Sequence, residues 1–342
     1  RRTSPCPGGP WLAYKLNEPE ATRVVAKSLS RQRGREFAPE QILLTNGVFA
    51  GLSIVLNALV DPGDEVLYIS PPWFFYEVLI AAAGGRPVRV DADRTTFDLD
   101  IDAIRDAITD RTRGIIVNSP NNPTGVVYSA ARLRELAVVL QEASERNGRP
   151  VYLFSDEAYN RIVFDGAGFA SPTDHYDSAL LLYTYGKTLL TPGERLGYIA
   201  VPPGMLHSTE TLHALFVAQA LTGWAFPVAS LQHAMDDLEN LSIDVGQLQS
   251  KRDRMVKELS AAGYNVNKPQ GTFYLLLRSP WPDDLSFCLA LAERDVFVLP
   301  GRTFEMPGYF RISLTASDDM ISRSVPIFAE MATAAMGPSA GR

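Results

Sequence analysis

The sequence predicts an α/β protein: a mainly parallel sheet covered by helices on both faces, followed by a smaller α+β domain. Three observations lead there. Short apolar runs at residues 66–69, 115–117, 151–154, 180–183 and 198–201 each end in polar or glycine-rich segments. Helix-length segments lie between several of them, such as 129–146 with Leu133, Leu136, Val139 and Leu140 at helical spacing. After about residue 242 the texture changes, with a charged helical stretch at 249–259 and strand-like segments at 272–277, 296–299 and 310–314 among proline-rich turns. Strands alternating with helices imply parallel pairing through crossovers, and strands without polar alternation imply burial on both faces. The expected division is a large domain over 1–245 and a small one over 246–342, both of ordinary domain size.

Composition narrows the function classes. With 342 residues, 46% hydrophobic and 21% charged, the chain can bury a sizeable core. Its 39 acidic residues against 32 basic ones give a net charge of -7, which disfavours nucleic acid or an anionic membrane as partner and favours a small-molecule ligand. Cys6 and Cys288 form no framework and no zinc pattern, as expected of a reducing, cytoplasmic setting. The four histidines show no His-Glu-x-x-His spacing, so structural or surface roles and no metal site are expected. The most apolar long stretch, 42–60, is interrupted by Thr45, Asn46, Gly47, Ser53 and Asn57 and is not a membrane span. The start Arg1-Arg2-Thr3-Ser4-Pro5 has neither an initiator Met nor an apolar signal core and reads as a cut or processed end.

In an open parallel sheet, ligands sit beyond the carboxyl ends of the strands, so the residues just after each run matter most. Thr45-Asn46-Gly47-Val48-Phe49 follows the run at 42–44 and opens what reads as an amphipathic helix, whose first amides can face an anion. Pro71-Pro72-Trp73-Phe74-Phe75-Tyr76 follows the run at 66–69. Next come Asn118-Ser119-Pro120-Asn121-Asn122-Pro123-Thr124-Gly125 and Ser155-Asp156-Glu157-Ala158-Tyr159. Thr184-Tyr185-Gly186-Lys187-Thr188 follows the run at 180–183, and Arg195 lies eight residues beyond the lysine. A nucleotide-binding phosphate loop at Gly186-Lys187-Thr188 fails on spacing, because its first glycine would fall at Leu181 inside a strand. Singly, these residues have ordinary readings: Asp156 as a helix cap, Asn122 as a turn residue, Gly47 as a turn glycine and Lys187 as a surface cation. Arg311 is less ordinary, a charge among Phe310, Ile312 and Leu314.

Together and in this order, with the Lys-x7-Arg spacing and the strand Phe310-Arg311-Ile312-Ser313-Leu314, these motifs resemble the class I/II, fold type I aminotransferase family over residues 14–314. The resemblance implies a sheet of the seven-stranded type sandwiched by helices, and pyridoxal 5'-phosphate as cofactor. Lys187 would hold the cofactor as a Schiff base and, once displaced by the substrate amine, serve as general base and acid. Asp156 would pair with the pyridinium nitrogen, while Tyr159 and Asn122 would reach the phenolic oxygen. The amides of Gly47, Val48 and Phe49, with Thr184 and Arg195, would hold the phosphate. Trp73 would stack on the ring, and Arg311 would bind the substrate α-carboxylate, with Asn122 and Trp73 beside it. Tyr14 resembles a tyrosine given to the phosphate of a neighbouring subunit, implying a homodimer with shared active sites.

The implied reaction moves an amino group from an L-amino acid to a 2-oxo acid with ping-pong kinetics. Carbon–sulfur lyases, cyclases, decarboxylases and synthases share the scaffold and stand as the alternative; an idle cofactor-binding regulator is disfavoured by the intact Lys187. Two departures from the family pattern stand out. Thr184-Tyr185-Gly186 replaces the common Ser-x-Ser, and Tyr14 comes early, as though the leading segment of the small domain were missing. For the substrate wall, Trp73, Trp224, Phe226 and Tyr185 are candidates, with core packing the equal alternative.

Overall fold

In the run Val66-Leu67-Tyr68-Ile69, alternate side chains enter two different cores. Val66 and Tyr68 join one with Leu52 and Val55; Leu67 and Ile69 join the other with Leu133, Leu136 and Leu140. The same alternation divides Ile116 from Ile115 and Val117, and Phe154 from Leu153. Successive side chains on a strand point to opposite faces, so a sheet buried on both sides needs apolar residues at every position.

The computed structural model describes residues 13–335; Cys6 and the first residues of the chain lie outside them. Seven strands, β1 (Ile42–Thr45), β2 (Glu65–Ser70), β3 (Arg86–Asp91), β4 (Thr112–Asn118), β5 (Tyr152–Asp156), β6 (Ala179–Thr184) and β7 (Gly197–Ala200), form one sheet in the order β1-β7-β6-β5-β4-β2-β3. Pairing is parallel except for β7, which runs antiparallel to both neighbours. The carboxyl ends of β1, β2, β4, β5 and β6 therefore share one edge. Strand β3 had no apolar run to announce it. It is an edge strand with Arg86, Arg89 and Asp91 exposed, a charged pattern that discourages further pairing.

The helix expected at 129–146 spans Ala130–Asn147, started by Ser129 accepting from the Arg132 amide and ended by Gly148 in the left-handed conformation. The expectation of an amphipathic helix after β1 is corrected. Gly47–Leu59 is buried on nearly every side, with only Asn57 exposed, because it lies between the sheet and helix Ser208–Leu221. No helix among the described residues is long and apolar enough to cross a membrane.

A second, antiparallel sheet has the order β8-β10-β9, built from β8 (Tyr274–Arg278), β9 (Leu299–Pro300) and β10 (Tyr309–Ser313). The strand expected at 296–299 shrinks to this two-residue β9. Arg311 sits in the central strand opposite Leu276 and Leu299. Helix Val245–Ala261, capped by Asp244, ties this sheet to the larger one. Its Arg252 is fully buried, donates twice to Asp165 (2.7 and 2.8 Å) and once to the Pro269 carbonyl, and lies over the Phe164 ring. The Gln270 and Gly271 amides both donate to the Gly125 carbonyl, so the two sheets meet at the loop after β4.

The tightest approach in the large sheet is at Gly197, which pairs with Thr45 on one side and Thr184 on the other. A β-carbon there would lie 2.2 Å from the Tyr183 carbonyl oxygen and 2.8 Å from Gly47 Cα. Gly197→Ala is expected to push β7 away from β6, costing about 1–3 kcal/mol as overpacking does. The urea midpoint measures it; a variant as stable as the parent would contradict this packing.

Candidate active site

Five strands deliver their following residues to one cavity of about 190 Å³. From β1 and its helix come Val48 and Phe49, from the loop after β2 Trp73, and from β4 and its loop Asn118 and Asn122. From β5 come Asp156, Ala158 and Tyr159, and from β6 Thr184, Gly186 and Lys187, with Pro192 and Arg195 closing the wall.

Asp156 ends β5 with its side chain buried. Tyr76 Oη donates to its Oδ2 at 2.6 Å and the Ala158 amide to its Oδ1 at 3.2 Å. It makes no ion pair among the described residues. Burial raises its carboxyl to about 6, against the pull of these two hydrogen bonds and of the Lys187 charge. Asn118, opposite Asp156 in the sheet register, links the neighbouring loops. Its Nδ2 donates to the Asp156 carbonyl at 2.9 Å, and its Oδ1 accepts from the Asn122 amide at 2.7 Å.

Asn122, so fixed, accepts from Arg311 Nη1 through Oδ1 at 2.7 Å. Arg311 reaches this point from the small sheet, held between the rings of Tyr274 (3.8 Å to the centroid) and Phe304 (4.6 Å). Burial lowers the proton affinity of its guanidinium. Tyr159 is buried beside it, its Oη 3.4 Å from that of Tyr274, and burial raises its phenol well above the ordinary value. Lys187 Nζ lies 5.7 Å from the centre of the Tyr159 ring.

At the other end Gly47 has φ +81, and a β-carbon there would lie 3.0 Å from Arg195 Nη2 and 3.2 Å from Thr184 Oγ1. The missing side chain lets a guanidinium, a hydroxyl and the first amides of helix Gly47–Leu59 surround one point. Arg195 Nη1 donates to the Pro192 carbonyl at 2.7 Å, which holds the guanidinium in place. The departure at Gly186 has a steric reason: a β-carbon would meet Pro192 Cα at 3.2 Å and the Thr191 carbonyl at 3.3 Å. Trp73 is half-buried, with Phe49 and Tyr76 meeting it edge to face, each with centroids 5.6 Å away.

Of the residues expected at the site, the cavity thus gathers Val48, Phe49, Trp73, Asn122, Asp156, Tyr159, Thr184, Lys187 and Arg195. Gly47 adjoins Arg195, and Arg311 adjoins through Asn122. Tyr14 is fully exposed and does not line this cavity. Tyr185 is a core residue whose hydroxyl donates to Glu239, Trp224 sits behind Phe49 (6.2 Å between centroids), and Phe226 packs on Phe216. Asn118, Tyr76, Tyr274 and Phe304 were missed. The first two carried a signal, Asn118 as the polar end of an apolar strand and Tyr76 three residues after Trp73. Tyr274 and Phe304 carried none, because only the folded small sheet brings them to Arg311.

The donor set suits pyridoxal phosphate. The cradle at Gly47 offers amides, a hydroxyl and a guanidinium to a phosphate, and a buried carboxylate without an ion-pair partner suits a protonated ring nitrogen. A parallel sheet with a lysine, such a carboxylate and an anion cradle along its carboxyl edge defines a pyridoxal phosphate enzyme of fold type I.

Comparison with known proteins gives the family. The family model for aminotransferase class I and II matches residues 13–325. The probable aspartate/prephenate aminotransferase of Thermus aquaticus is 30% identical over 317 residues, covering 91% of this chain and 81% of that protein. The aspartate/prephenate aminotransferase of Cereibacter sphaeroides is 31% identical, covering 89% and 79%. Among solved structures, an amino transferase from Eubacterium rectale superposes with a TM-score of 0.90 at 34% identity, over 95% of this chain and 82% of that one. The chain belongs to the class I and II aminotransferase family and is a pyridoxal phosphate-dependent aminotransferase.

The carboxyl of Asp156 gives a pH test. Its folded value, about 6, lies above the ordinary 3.8, so the stability tied to the uncharged form is complete below about pH 4 and is lost as pH rises through 6. In the cofactor-free protein, Asp156→Asn is expected to raise the melting temperature at pH 8, by a margin that shrinks toward pH 4. Thermal melts at the two pH values measure it, and a variant melting lower than the parent at pH 8 would contradict the assignment.

Proposed function

We propose that the enzyme moves an amino group from an L-amino acid to a 2-oxo acid in two half-reactions, with the residue roles that follow. The observation that carries the reading is the convergence of Lys187, Asp156 and the Gly47–Thr184–Arg195 cradle on one cavity, with Arg311 joined to it through Asn122. Bound pyridoxal phosphate supplies an electron sink for the pair left when a bond to the substrate α-carbon breaks.

Lys187 Nζ holds the cofactor covalently and, once displaced by the substrate amine, carries the proton to and from the α-carbon. Asp156, kept in place by Tyr76 and the Ala158 amide, holds a proton on the ring nitrogen. Tyr159 and Asn122 meet the phenolic oxygen. The amides of Gly47, Val48 and Phe49, with Thr184 and Arg195, hold the phosphate, and Trp73 covers the ring. Arg311, with Asn122 and Trp73 beside it, fixes the substrate α-carboxylate and thereby sets which bond lies perpendicular to the ring.

The same reading includes a homodimer, in which the exposed Tyr14 reaches the phosphate of a partner subunit, and a cytoplasmic setting in keeping with the free, buried Cys288. It also divides the chain near residue 245, where helix Val245–Ala261 begins, into a large cofactor-binding domain and a small domain bearing Arg311.

Mixing holoenzyme with an amino acid and no oxo acid tests the reaction. One equivalent of cofactor is expected to pass to the amine form and stop, whereas continued turnover without an acceptor would mean a lyase-type reaction. Arg311→Lys is expected to lower kcat/KM on the order of 100-fold, the scale of losing a charge-assisted pair at a site where arginine and lysine are not interchangeable. Unchanged kinetics would remove Arg311 from the substrate site.

A further inference from the structure

We infer that Glu305 is a positioning residue for the carboxylate site: it pins the turn that carries Phe304 to the edge of the large sheet, so that Arg311 stays aimed at Asn122. The inference rests on the reading of Arg311 given above and adds what holds that arginine in place.

Glu305 follows the short helix Gly301–Phe304 with φ 59 and ψ 25, a left-handed conformation that glycine adopts freely and a residue with a side chain adopts at a cost. Such a conformation persists where its surroundings hold it, and here the side chain crosses to the other sheet. Tyr68 Oη donates to Glu305 Oε1 at 2.9 Å. Glu305 Oε2 lies 3.2 Å from Arg89 Nε, within ion-pair distance though not aligned for a hydrogen bond. Tyr68 on β2 and Arg89 on β3 are partners in the parallel register, so their side chains leave the same face and form a two-point receptor for one carboxylate. Asp91 also holds the Arg89 guanidinium, at 2.7 Å.

The turn itself is stiff. The Met306 amide donates to the Gly301 carbonyl at 2.9 Å, Arg302 pairs with Asp284 at 2.9 Å, and Met306 is buried with Phe97 and Leu276. A restraint on Glu305 therefore reaches Phe304, one residue earlier and fully buried. The Phe304 ring has Phe74, from the loop after β2, at 6.0 Å and the Arg311 guanidinium at 4.6 Å. That guanidinium is held between this ring and that of Tyr274, so it keeps its direction toward Asn122 only while Phe304 keeps its place. Without the peg at Glu305 the turn stays folded but is free to shift along the sheet edge. A carboxylate then binds only the fraction of molecules in which Arg311 is aligned, which weakens its apparent affinity and leaves the chemistry at Lys187 unchanged.

The test uses holoenzyme in single-turnover mixing without oxo acid, with whichever standard L-amino acid converts the parent's cofactor fastest. Glu305→Gly removes the carboxylate and places at this backbone position the residue suited to it. Its half-saturating concentration is expected to rise about tenfold, the scale of one hydrogen bond to a charged group, with the rate at saturation within about twofold. Its melting temperature is expected to stay within about 3 °C of the parent, the relieved backbone offsetting the lost contact. Glu305→Gln keeps an oxygen for the Tyr68 hydroxyl and is expected to stay within about threefold of the parent. Tyr68→Phe is expected to raise the half-saturating concentration about fivefold alone, and to add nothing when combined with Glu305→Gly. An unchanged half-saturating concentration in Glu305→Gly, with or without a lower melting temperature, overturns the inference. So does a fall in the rate at saturation alone, or effects of the two substitutions that multiply. If no amino acid converts the parent's cofactor, the transamination reading fails and hydrogen exchange decides the inference. The Met306 and Tyr309 amides are expected to exchange about fivefold faster in Tyr68→Phe than in the parent, and equal exchange overturns it.

Discussion

A carboxylate at the end of a central strand, buried with no ion-pair partner among the described residues, is the constraint on which the rest of this structure depends. Asp156 is that group, and burial pushes its carboxyl to about 6. Uncompensated buried charge is among the more destabilising features a fold can carry, and such features concentrate at functional sites. Everything around it serves to keep the carboxylate in position: the Tyr76 hydroxyl on one oxygen, the Ala158 amide on the other, and Asn118 bonded to its backbone. Its neighbour Glu157 has the opposite arrangement. It is also buried, but Arg33, Asn160 and Ser171 satisfy it, so one carboxylate of the pair is structural and the other is left for a ligand.

The small sheet contributes through one residue. Arg311 crosses to Asn122 because the loop after β4 meets the segment at 269–271 and because the buried Arg252 locks helix Val245–Ala261 to Asp165. The position of Arg311 is thus set by contacts far from its own tip. Breaking a buried, paired guanidinium leaves its partners uncompensated, which makes Arg252 the structural counterpart of Arg311.

Much of this was legible in the sequence because the strands of a doubly covered sheet are apolar at every position and the ligand edge follows each of them. The runs at 115–117, 151–154 and 180–183 marked three central strands and led directly to Asn122, Asp156 and Lys187. The legible part failed where the pattern depends on tertiary context. Edge strand β3 buries only one face, through Val90 and the half-buried Val88, so it shows no continuous apolar run, and helix Gly47–Leu59 lost its amphipathic character to a covering helix. Tyr274 comes from β8 and Phe304 from the short helix Gly301–Phe304 after β9, and nothing local in their sequence marks them as the platform for Arg311. Tyr185 stood two residues before Lys187 in the sequence yet points into the core, since both lie in the helical turn Tyr185–Thr188, where residues two apart do not share a face.

The central claim is that Lys187 carries the cofactor, and chemical trapping tests it most directly. Holoenzyme reduced with borohydride, digested and mapped by mass spectrometry should carry the phosphopyridoxyl group on the peptide containing Lys187, in near-stoichiometric yield. The other lysines, Lys15, Lys27, Lys251, Lys257 and Lys268, should remain unmodified. A label on one of those, or a reduced protein without label at Lys187, would contradict the account.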